Sequence, residues 1–204
     1  MTKKPVAVLI SGSGSNLQAL IDACAQPDFP ARIAMVISNK SDAYGLKRAK
    51  DAGIPTQVIF HQDYPDRDTF DSALHDAIIK AGAEYVCLAG FMRLLTAGFV
   101  EKWQGRMINI HPAILPSFKG IHTHERVLEA GVKIHGATVH YVVPEMDSGP
   151  IIIQAAVPVL PNDTAQTLGE RVLKLEHKIY PEALRKVITG ETGTVSDHTS
   201  FLIA

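Results

Sequence analysis

Short apolar runs rich in β-branched residues alternate with segments of helix length along the first half of the chain. The runs are VAVLI, RIAMVIS, TQVIF, EYVCLA and RMINI, and the segments between them are residues 16–25, 43–52, 66–81 and 97–102. Because the runs are continuously apolar and do not alternate with polar residues, we expect strands that are buried on both faces. This pattern predicts an α/β fold with an open, mostly parallel, doubly wound sheet.

The second half of the chain has a different pattern of apolar segments. KIHGATVHYVV and PIIIQAAVPV are separated only by PEMDSG, which is short enough to join two antiparallel strands. The amphipathic segment from about Asp163 to Thr189 predicts a long C-terminal helix that packs over the sheet. We therefore expect one domain of 204 residues with an antiparallel C-terminal edge.

The charge balance and the cysteines restrict the partners and the compartment. Twenty Lys and Arg residues face 21 Asp and Glu residues, so we expect a small-molecule partner and neither nucleic acid nor a membrane. Cys24 and Cys87 have no metal-ligand spacing, and the apolar run Val6 to Ile10 is too short for a signal peptide or a span. These features predict a cytoplasmic protein.

The C-terminal tail, residues 191–204, has no assigned role. We expect it to pack as a short strand or to be loose.

A glycine-rich loop, SGSGSN, follows the first strand and opens the first helix. Backbone N–H groups and the helix dipole favour an anion at such a place. The dinucleotide fingerprint requires a small residue where this chain has Leu17, and an acid where it has Ser38-Asn39-Lys40. The loop therefore predicts a single phosphate held by Gly14, Ser15 and Asn16. The alternative is a flexible turn in which Ser15 or Asn16 merely caps the helix.

Asn109 and His111 end the apolar run RMINI, and a proline-bearing loop follows them. Residues at i and i+2 of a strand point the same way, so these two should form a polar pair. An amide can donate to a developing oxyanion and an imidazole can move a proton near neutral pH, a combination that suits acyl transfer. Asp147, in PEMDSGP, could fix the tautomer of His111 and favour its charged form, or it could be an ordinary turn residue. A hydrogen-bonded pair that only closes a loop is the alternative for Asn109 and His111.

Five of the nine histidines, His111, His122, His124, His135 and His140, lie close together in the sequence. His122 and His124 have an HxH spacing, but no carboxylate or cysteine at ligand spacing completes a zinc or iron signature. No metal is therefore expected. Lys174 and Glu176 are interpreted from spacing as part of a solvated charged face on the last helix.

Eight segments of the sequence, in order, resemble the phosphoribosylglycinamide formyltransferases: ISGSGSNLQAL, SNK, AGFMRLL, NIHPAILPSFKG, HTHERVLEAG, HGATVHYV, DSGPIIIQ and LEHKIYP. The resemblance covers nearly the whole chain. The pattern NxHP..LP...G with a downstream Asp is typical of the wider group that uses 10-formyltetrahydrofolate, whereas the SGSGSN loop indicates the purine enzyme.

This resemblance implies a Rossmann-like formyltransferase fold that moves a formyl group from 10-formyltetrahydrofolate, the co-substrate, to the amine of phosphoribosylglycinamide in de novo purine synthesis. It implies a phosphate-binding half, residues 1–100, a folate-binding and catalytic half, residues 101–204, no metal, and a monomer or homodimer. The catalytic residues implied are Asn109, His111 and Asp147. Those implied for the ribonucleotide are Gly14, Ser15, Asn16 and Glu176. Those implied for the folate are Arg67, Met92, Arg93, Leu94, Leu95, Asn109, Val143, Pro144, Glu145 and Met146.

Two positions depart from the family pattern. Ser13 stands where relatives often carry Asn or Arg, and Leu173 where a Lys or Gln often reaches the phosphate.

Three other functions are alternatives. A 10-formyltetrahydrofolate deformylase, a hydrolase, is expected to have a regulatory domain ahead of a first strand that here begins at residue 5. A methionyl-tRNA formyltransferase should have a C-terminal RNA-binding domain. A non-catalytic phosphate binder would leave Asn109, His111 and Asp147 unexplained.

Overall fold

One sheet runs through the protein in the computed structural model, which describes residues 2–191 and the backbone of residues 201–203. Within these residues the sheet has eight strands in the order β3-β2-β1-β4-β5-β6-β7-β8. They are β1 Lys4–Ile10, β2 Ala31–Ser38, β3 Thr56–Val58, β4 Tyr85–Leu88, β5 Met107–His111, β6 Ile134–Tyr141, β7 Ile151–Pro158 and β8 Phe201–Ile203. The first five are parallel, β6 and β7 are each antiparallel to the preceding strand, and β8 is parallel to β7.

Six α-helices connect or cover the strands in the described part of the chain. They are α1 Ser15–Ala25, α2 Tyr44–Asp51, α3 Arg67–Lys80, α4 Ala97–Lys102, α5 Thr123–Glu129 and α6 Ala165–Thr189. The long helix α6 begins at a capping box formed by Thr164 and Thr167 and ends at Gly190. None of the helices in the described residues combines the length and apolar character needed to cross a membrane.

The predicted fold class is confirmed, and the structure differs from the prediction at the ends of elements and by one additional helix. Of the run TQVIF only Thr56–Val58 pairs with a neighbour, and the helix Thr123–Glu129 was not predicted. The C-terminal tail contributes a short strand, residues 201–203, at the edge of the sheet. The rest of the tail for which no role was assigned, residues 192–200 and 204, lies outside the described residues.

Both faces of the sheet are buried, as the apolar strands predict. Val6 and Val8 of β1 belong to a core that includes residues of α1, α2 and α6. Ala7 and Leu9 belong to a second core that includes residues of α3 and α4. Because side chains alternate along a strand, each strand can supply both cores only if helices cover both faces.

The carboxyl ends of β1, β4 and β5 meet at one edge of the sheet. Leu9 of β1 is paired with Leu88 of β4, and Leu88 is paired with Asn109 of β5. The loops that follow these strands are therefore neighbours in space. In open α/β sheets this edge is where ligands bind.

Candidate active site

Asn109 and His111 lie near the end of β5 and face the antiparallel strand β6. Asn109 is paired with His140, and its Nδ2 lies 3.3 Å from His140 Nε2. His111 is almost fully buried, and its Nε2 lies 3.0 Å from the carbonyl oxygen of Phe118. A carbonyl oxygen can only accept, so this ring nitrogen carries the hydrogen.

Asp147 reaches this pair from the loop between β6 and β7. Its Oδ2 lies 3.4 Å from His111 Nδ1, and its Oδ1 lies 3.7 Å from His140 Nε2. The backbone N–H of Gly120 donates to Oδ2 at 2.8 Å. Asp147 has a left-handed backbone with φ of 50°, uncommon for a residue other than glycine. The structure therefore brings Asn109, His111 and Asp147 into one cluster.

His140 belongs to the same cluster, although the sequence did not assign it a role. Burial lowers the pKa of His140, which favours the neutral ring, and its Nδ1 donates to the carbonyl oxygen of Tyr141 at 2.8 Å. Its Nε2 is therefore the acceptor for one N–H of the Asn109 amide, which fixes the orientation of that amide. The only sequence signal for His140 is its place in HGATVHYV, because the register of β6 against β5 is a long-range property.

The glycine loop lines a cleft at the same edge of the sheet. The cleft has a volume of about 260 Å³ and is formed by residues 11–16 with Ala89, Gly90 and Met92. Gly14 is the N-cap of α1 with φ of 69°, and no side chain caps the helix. The alternative in which Ser15 or Asn16 serves only as a cap is thus not what the structure shows. Gly14, Ser15 and Asn16 instead present the first turn of α1 to the cleft, as an anion site requires.

Glu176 comes from the second half of the chain to meet the glycine loop. The amide Nδ2 of Asn16 donates to Glu176 Oε2 at 2.6 Å. Glu176 is 7% exposed, and burial raises the pKa of its carboxyl group while the Asn16 bond opposes this change. The interpretation of Glu176 as part of a solvated face is therefore wrong, because α6 turns this residue toward α1. Lys174 is exposed, as expected.

The residues expected to hold a folate lie on two segments. Arg67 begins α3, and its Nη2 donates to the carbonyl oxygen of Leu95 at 3.3 Å. Met92 and Leu94 are exposed, and Arg93 is half-buried beside them. In the second segment, Val143 is half-buried and Pro144, Glu145 and Met146 are exposed. Lys119, in the loop after β5, contacts this second segment and the residues that follow it. Its Nζ lies near Ser148 Oγ and 3.6 Å from Glu145 Oε1.

A hydroxyl that the sequence analysis missed joins the glycine loop to the first of these segments. Ser11 Oγ donates to Asn39 Oδ1 at 2.6 Å and accepts from the backbone N–H of Met92 at 2.8 Å. Ser11 and Asn39 are both almost fully buried. The sequence shows only that small polar residues follow β1 and β2 directly. Whether Ser11 and Asn39 contact each other depends on the order of the strands in the sheet.

The two histidines of the HxH spacing have different partners. His124 Nδ1 lies 3.0 Å from His135 Nε2, whereas His122 Nδ1 lies 3.8 Å from Glu125 Oε1. Across the described residues, no group of three or more His, Cys, Asp or Glu side chains is arranged as a metal site. His122 and His124 therefore do not point to a common position, as two ligands of one metal ion would.

Comparison with known proteins agrees with the resemblance seen in the sequence. A protein from Bos taurus, "Trifunctional purine biosynthetic protein adenosine-3", is 55% identical over 188 residues, 92% of this chain but 19% of that protein. This chain thus spans about a fifth of the length of that relative. The "Phosphoribosylglycinamide formyltransferase" of Haemophilus influenzae is 42% identical over 98% of this chain and 93% of that protein.

A solved structure gives the same result for the fold. The glycinamide ribonucleotide transformylase 1 of Symbiobacterium toebii is 47% identical, covers 92% of this chain and 89% of its own, and superposes with a TM-score of 0.90. The family model described as "Formyl transferase" matches residues 4–184. This match takes in β1, the glycine loop, the cluster around His111 and most of α6. The chain therefore belongs to the formyl transferase family.

Proposed function

We propose that this chain transfers the formyl group of 10-formyltetrahydrofolate to the amine of phosphoribosylglycinamide, a step of purine biosynthesis. The observation that carries the proposal is the cluster of Asn109, His111 and Asp147 at the same sheet edge as the glycine-loop cleft. The names of the bacterial relative and the solved structure support this substrate. The amide of Asn109 and the imidazole of His111 supply the required donors, and the carboxylate of Asp147 faces the imidazole, so the proposed reaction needs no metal ion.

The ribonucleotide is assigned to the glycine loop and α6. The phosphate binds at the first turn of α1, where Gly14, Ser15 and Asn16 face the cleft. The ribose hydroxyls bind near Glu176, whose carboxyl group accepts from Asn16. Asn16 Oδ1 is buried without a protein partner among the described residues, which leaves it able to accept from a hydroxyl of the ligand.

The folate is assigned to the segments after β4 and β6. Arg67, bound to the Leu95 carbonyl group, provides a cation at one end of the first segment. The exposed side chains of Met92 and Leu94 provide apolar surface for a ring system. The loop of residues 143–146 precedes Asp147, so a folate bound there lies beside the catalytic cluster.

The chemistry follows from the orientation of the cluster. The neutral amine attacks the formyl carbon, and negative charge develops on the formyl oxygen. One N–H of Asn109 is taken by His140 and the second is free to donate to that oxygen. Asp147 faces Nδ1 of His111, so Nε2 is the nitrogen that donates, and the formyl oxygen must replace the Phe118 carbonyl group there. The attacking amine then loses a proton, the folate nitrogen gains one, and the bond between the formyl carbon and the folate nitrogen breaks, which releases tetrahydrofolate.

The test is a spectrophotometric assay with 10-formyltetrahydrofolate, run with and without phosphoribosylglycinamide. We expect loss of the formyl group only when the ribonucleotide is present. Asp147→Asn should reduce kcat at least 100-fold, while Asp28→Asn, an exposed carboxylate far from the cluster in sequence, should not change it. Equal turnover without the ribonucleotide would show a hydrolase and would contradict the proposal.

A further inference from the structure

The cleft assigned to the phosphate contains no positive charge of its own. Its walls, residues 11–16 with Ala89, Gly90 and Met92, have uncharged side chains. A phosphate monoester carries a charge of about −1.5 to −2 at neutral pH. Backbone N–H groups and the dipole of α1 offset part of this charge, and a nearby cation would offset more. The inference below rests on the proposed function of this cleft.

Helix α2 packs directly against the glycine loop. Gly45 of α2 donates its N–H to the carbonyl oxygen of Gly12 at 3.1 Å. A Cβ atom on Gly14 would lie 2.6 Å from the Cα of Gly45, and one on Gly45 would lie 2.5 Å from Ile10 Cδ1. Gly14, which also has a positive φ, is required for this approach because its Cβ would meet backbone, and a Cβ on Gly45 would also be tight, 3.2 Å from the Cα of Gly14. The approach brings the next residues of α2, among them Arg48, up to the loop.

Arg48 forms hydrogen bonds to the glycine loop and to α1. Its Nε donates to the carbonyl oxygen of Ser13 at 2.9 Å, and its Nη1 donates to Gln18 Oε1 at 3.3 Å. Its Cδ lies 3.6 Å from the position that a Cβ of Gly14 would take. The guanidinium group also lies over the ring of Tyr44, 4.9 Å from its centre. These contacts hold the charge in a fixed place beside Gly14.

Arg48 has no ion-pair partner in the part of the chain that the structure describes. Within residues 2–191, no carboxylate forms an ion pair with Arg48. Its two protein hydrogen bonds go to a carbonyl and an amide oxygen, both neutral, and use two of five N–H donors. A half-buried arginine charge that has no counter-ion is unfavourable. An anion bound at the neighbouring glycine loop would stabilise this charge.

Helix α6, on the other side of α1, does not supply this cation. Leu173 is apolar, and Glu176 is an acid that bonds Asn16. Burial lowers the pKa of His177, the positive charge of Arg48 lowers it further and Asp22 opposes this change, so the neutral ring is favoured. Lys174 is exposed and lies about 200° around the helix from Glu176.

We infer that Arg48 supplies the positive charge that stabilises the phosphate of the substrate in the glycine-loop cleft. Arg48 does not line the cleft. Its hydrogen bond to the Ser13 carbonyl group holds the guanidinium group beside the loop, and its positive charge acts on the phosphate from there.

The experiment compares the phosphorylated substrate with the same glycinamide riboside lacking the phosphate. Arg48→Gln should raise KM for phosphoribosylglycinamide about tenfold, the effect of one partly solvated charge, with little change in kcat or in KM for the folate. The kcat/KM for the riboside should stay as in the wild type. Arg48→Lys, which keeps the charge, should retain most of the affinity. Lys50→Gln, an exposed lysine on the same helix, is the matched control and should change nothing.

Three results would overturn the inference. They are an unchanged KM for the ribonucleotide in Arg48→Gln, an equal loss with both substrates, and a loss in Arg48→Lys as large as in Arg48→Gln. The last two would show that Arg48 only supports the loop. Arg48→Ala replaces Arg48→Gln if the latter does not fold. Wild-type protein that shows no ribonucleotide-dependent transfer would refute the proposed function instead, so the two failures are distinguishable.

Discussion

The Nδ2 atom of Asn109 lies 3.3 Å from the Nε2 atom of His140, on the neighbouring antiparallel strand. Because His140 donates through Nδ1 to the Tyr141 carbonyl group, its Nε2 can accept from the amide. Asn109 is thereby held with its nitrogen toward the cluster and its second N–H available. The donor that the proposed reaction requires is thus oriented before any substrate binds.

Asn109→Ala should remove this donor and leave the fold intact. The loss of one oxyanion donor costs about 2.7 to 4 kcal/mol of barrier, so kcat should fall about 100- to 1000-fold. Steady-state kinetics with both substrates, together with thermal unfolding, measure the two effects. A variant with normal unfolding and a kcat within a few-fold of the wild type would remove Asn109 from the proposed mechanism.

Ser11→Ala should loosen the segment that is assigned to the folate. The substitution removes the donor to the buried Asn39 and the acceptor for the N–H of Met92, a residue whose side chain is exposed. Leaving the buried amide oxygen of Asn39 unpaired costs about 1 to 3 kcal/mol, so we expect lower stability, and the freed Met92 backbone should raise the KM for the folate. Chemical denaturation and folate kinetics test this prediction.

The control for Ser11 is Ser13→Ala, since Ser13 contacts Arg48 through its backbone carbonyl group and not through its side chain. This variant should retain the folate KM of the wild type. An unchanged folate KM in Ser11→Ala would mean that the hydroxyl bridge stabilises only the sheet edge.

Glu176→Gln should make the protein more stable and a poorer binder of the ribonucleotide. Burial raises the pKa of Glu176, so the ionised carboxylate destabilises the fold at pH values above its unfolded pKa, about 4.3. A neutral amide removes that cost and can still accept from Asn16. Stability at pH 7.5 should rise, while KM for the ribonucleotide should rise if the carboxylate accepts from the ribose. A decrease in stability would contradict the account of the buried charge.

The protein should lose stability in acid because His135 is buried. Burial, with smaller contributions from His124 and His111, lowers the pKa of His135 to about 4, against about 6.5 in an unfolded chain. Below pH 6.5 the unfolded chain therefore binds a proton that the folded protein does not. The free energy of unfolding should fall by up to about 3 kcal/mol as the pH drops from about 6.5 to about 4.

Urea denaturation at several pH values between 4 and 7.5 measures this dependence. His135→Asn should show a shallower fall with acid than the wild type, because one titrating group is removed. His122→Asn is the matched control, since His122 is exposed and lies outside the buried pair. Equal pH dependence in wild type and His135→Asn would show that other groups cause the acid sensitivity.

The fold class could be predicted from the sequence because its signals are local. Each strand is a short apolar run and each helix a segment of suitable length, so the order of elements follows from a few neighbouring residues at a time. The i, i+2 spacing of Asn109 and His111 likewise predicts that they share one side of β5, and in the structure Asp147 lies beside His111 while Asn109 contacts His140 of the same cluster. Helix α5 was missed because its short sequence, THERVLE, has little apolar periodicity.

The sequence by itself determined the parallel sheet, its antiparallel edge, the long last helix, and the loops that carry polar residues. The tertiary structure alone decided which of those residues meet. The register of β6 against β5 brought His140 to Asn109, the rotation of α6 buried Glu176 against Asn16, and two facing glycines brought Arg48 to the glycine loop. The physical reason is that periodicity is encoded within one segment, whereas strand register and helix rotation depend on packing between residues far apart in the chain.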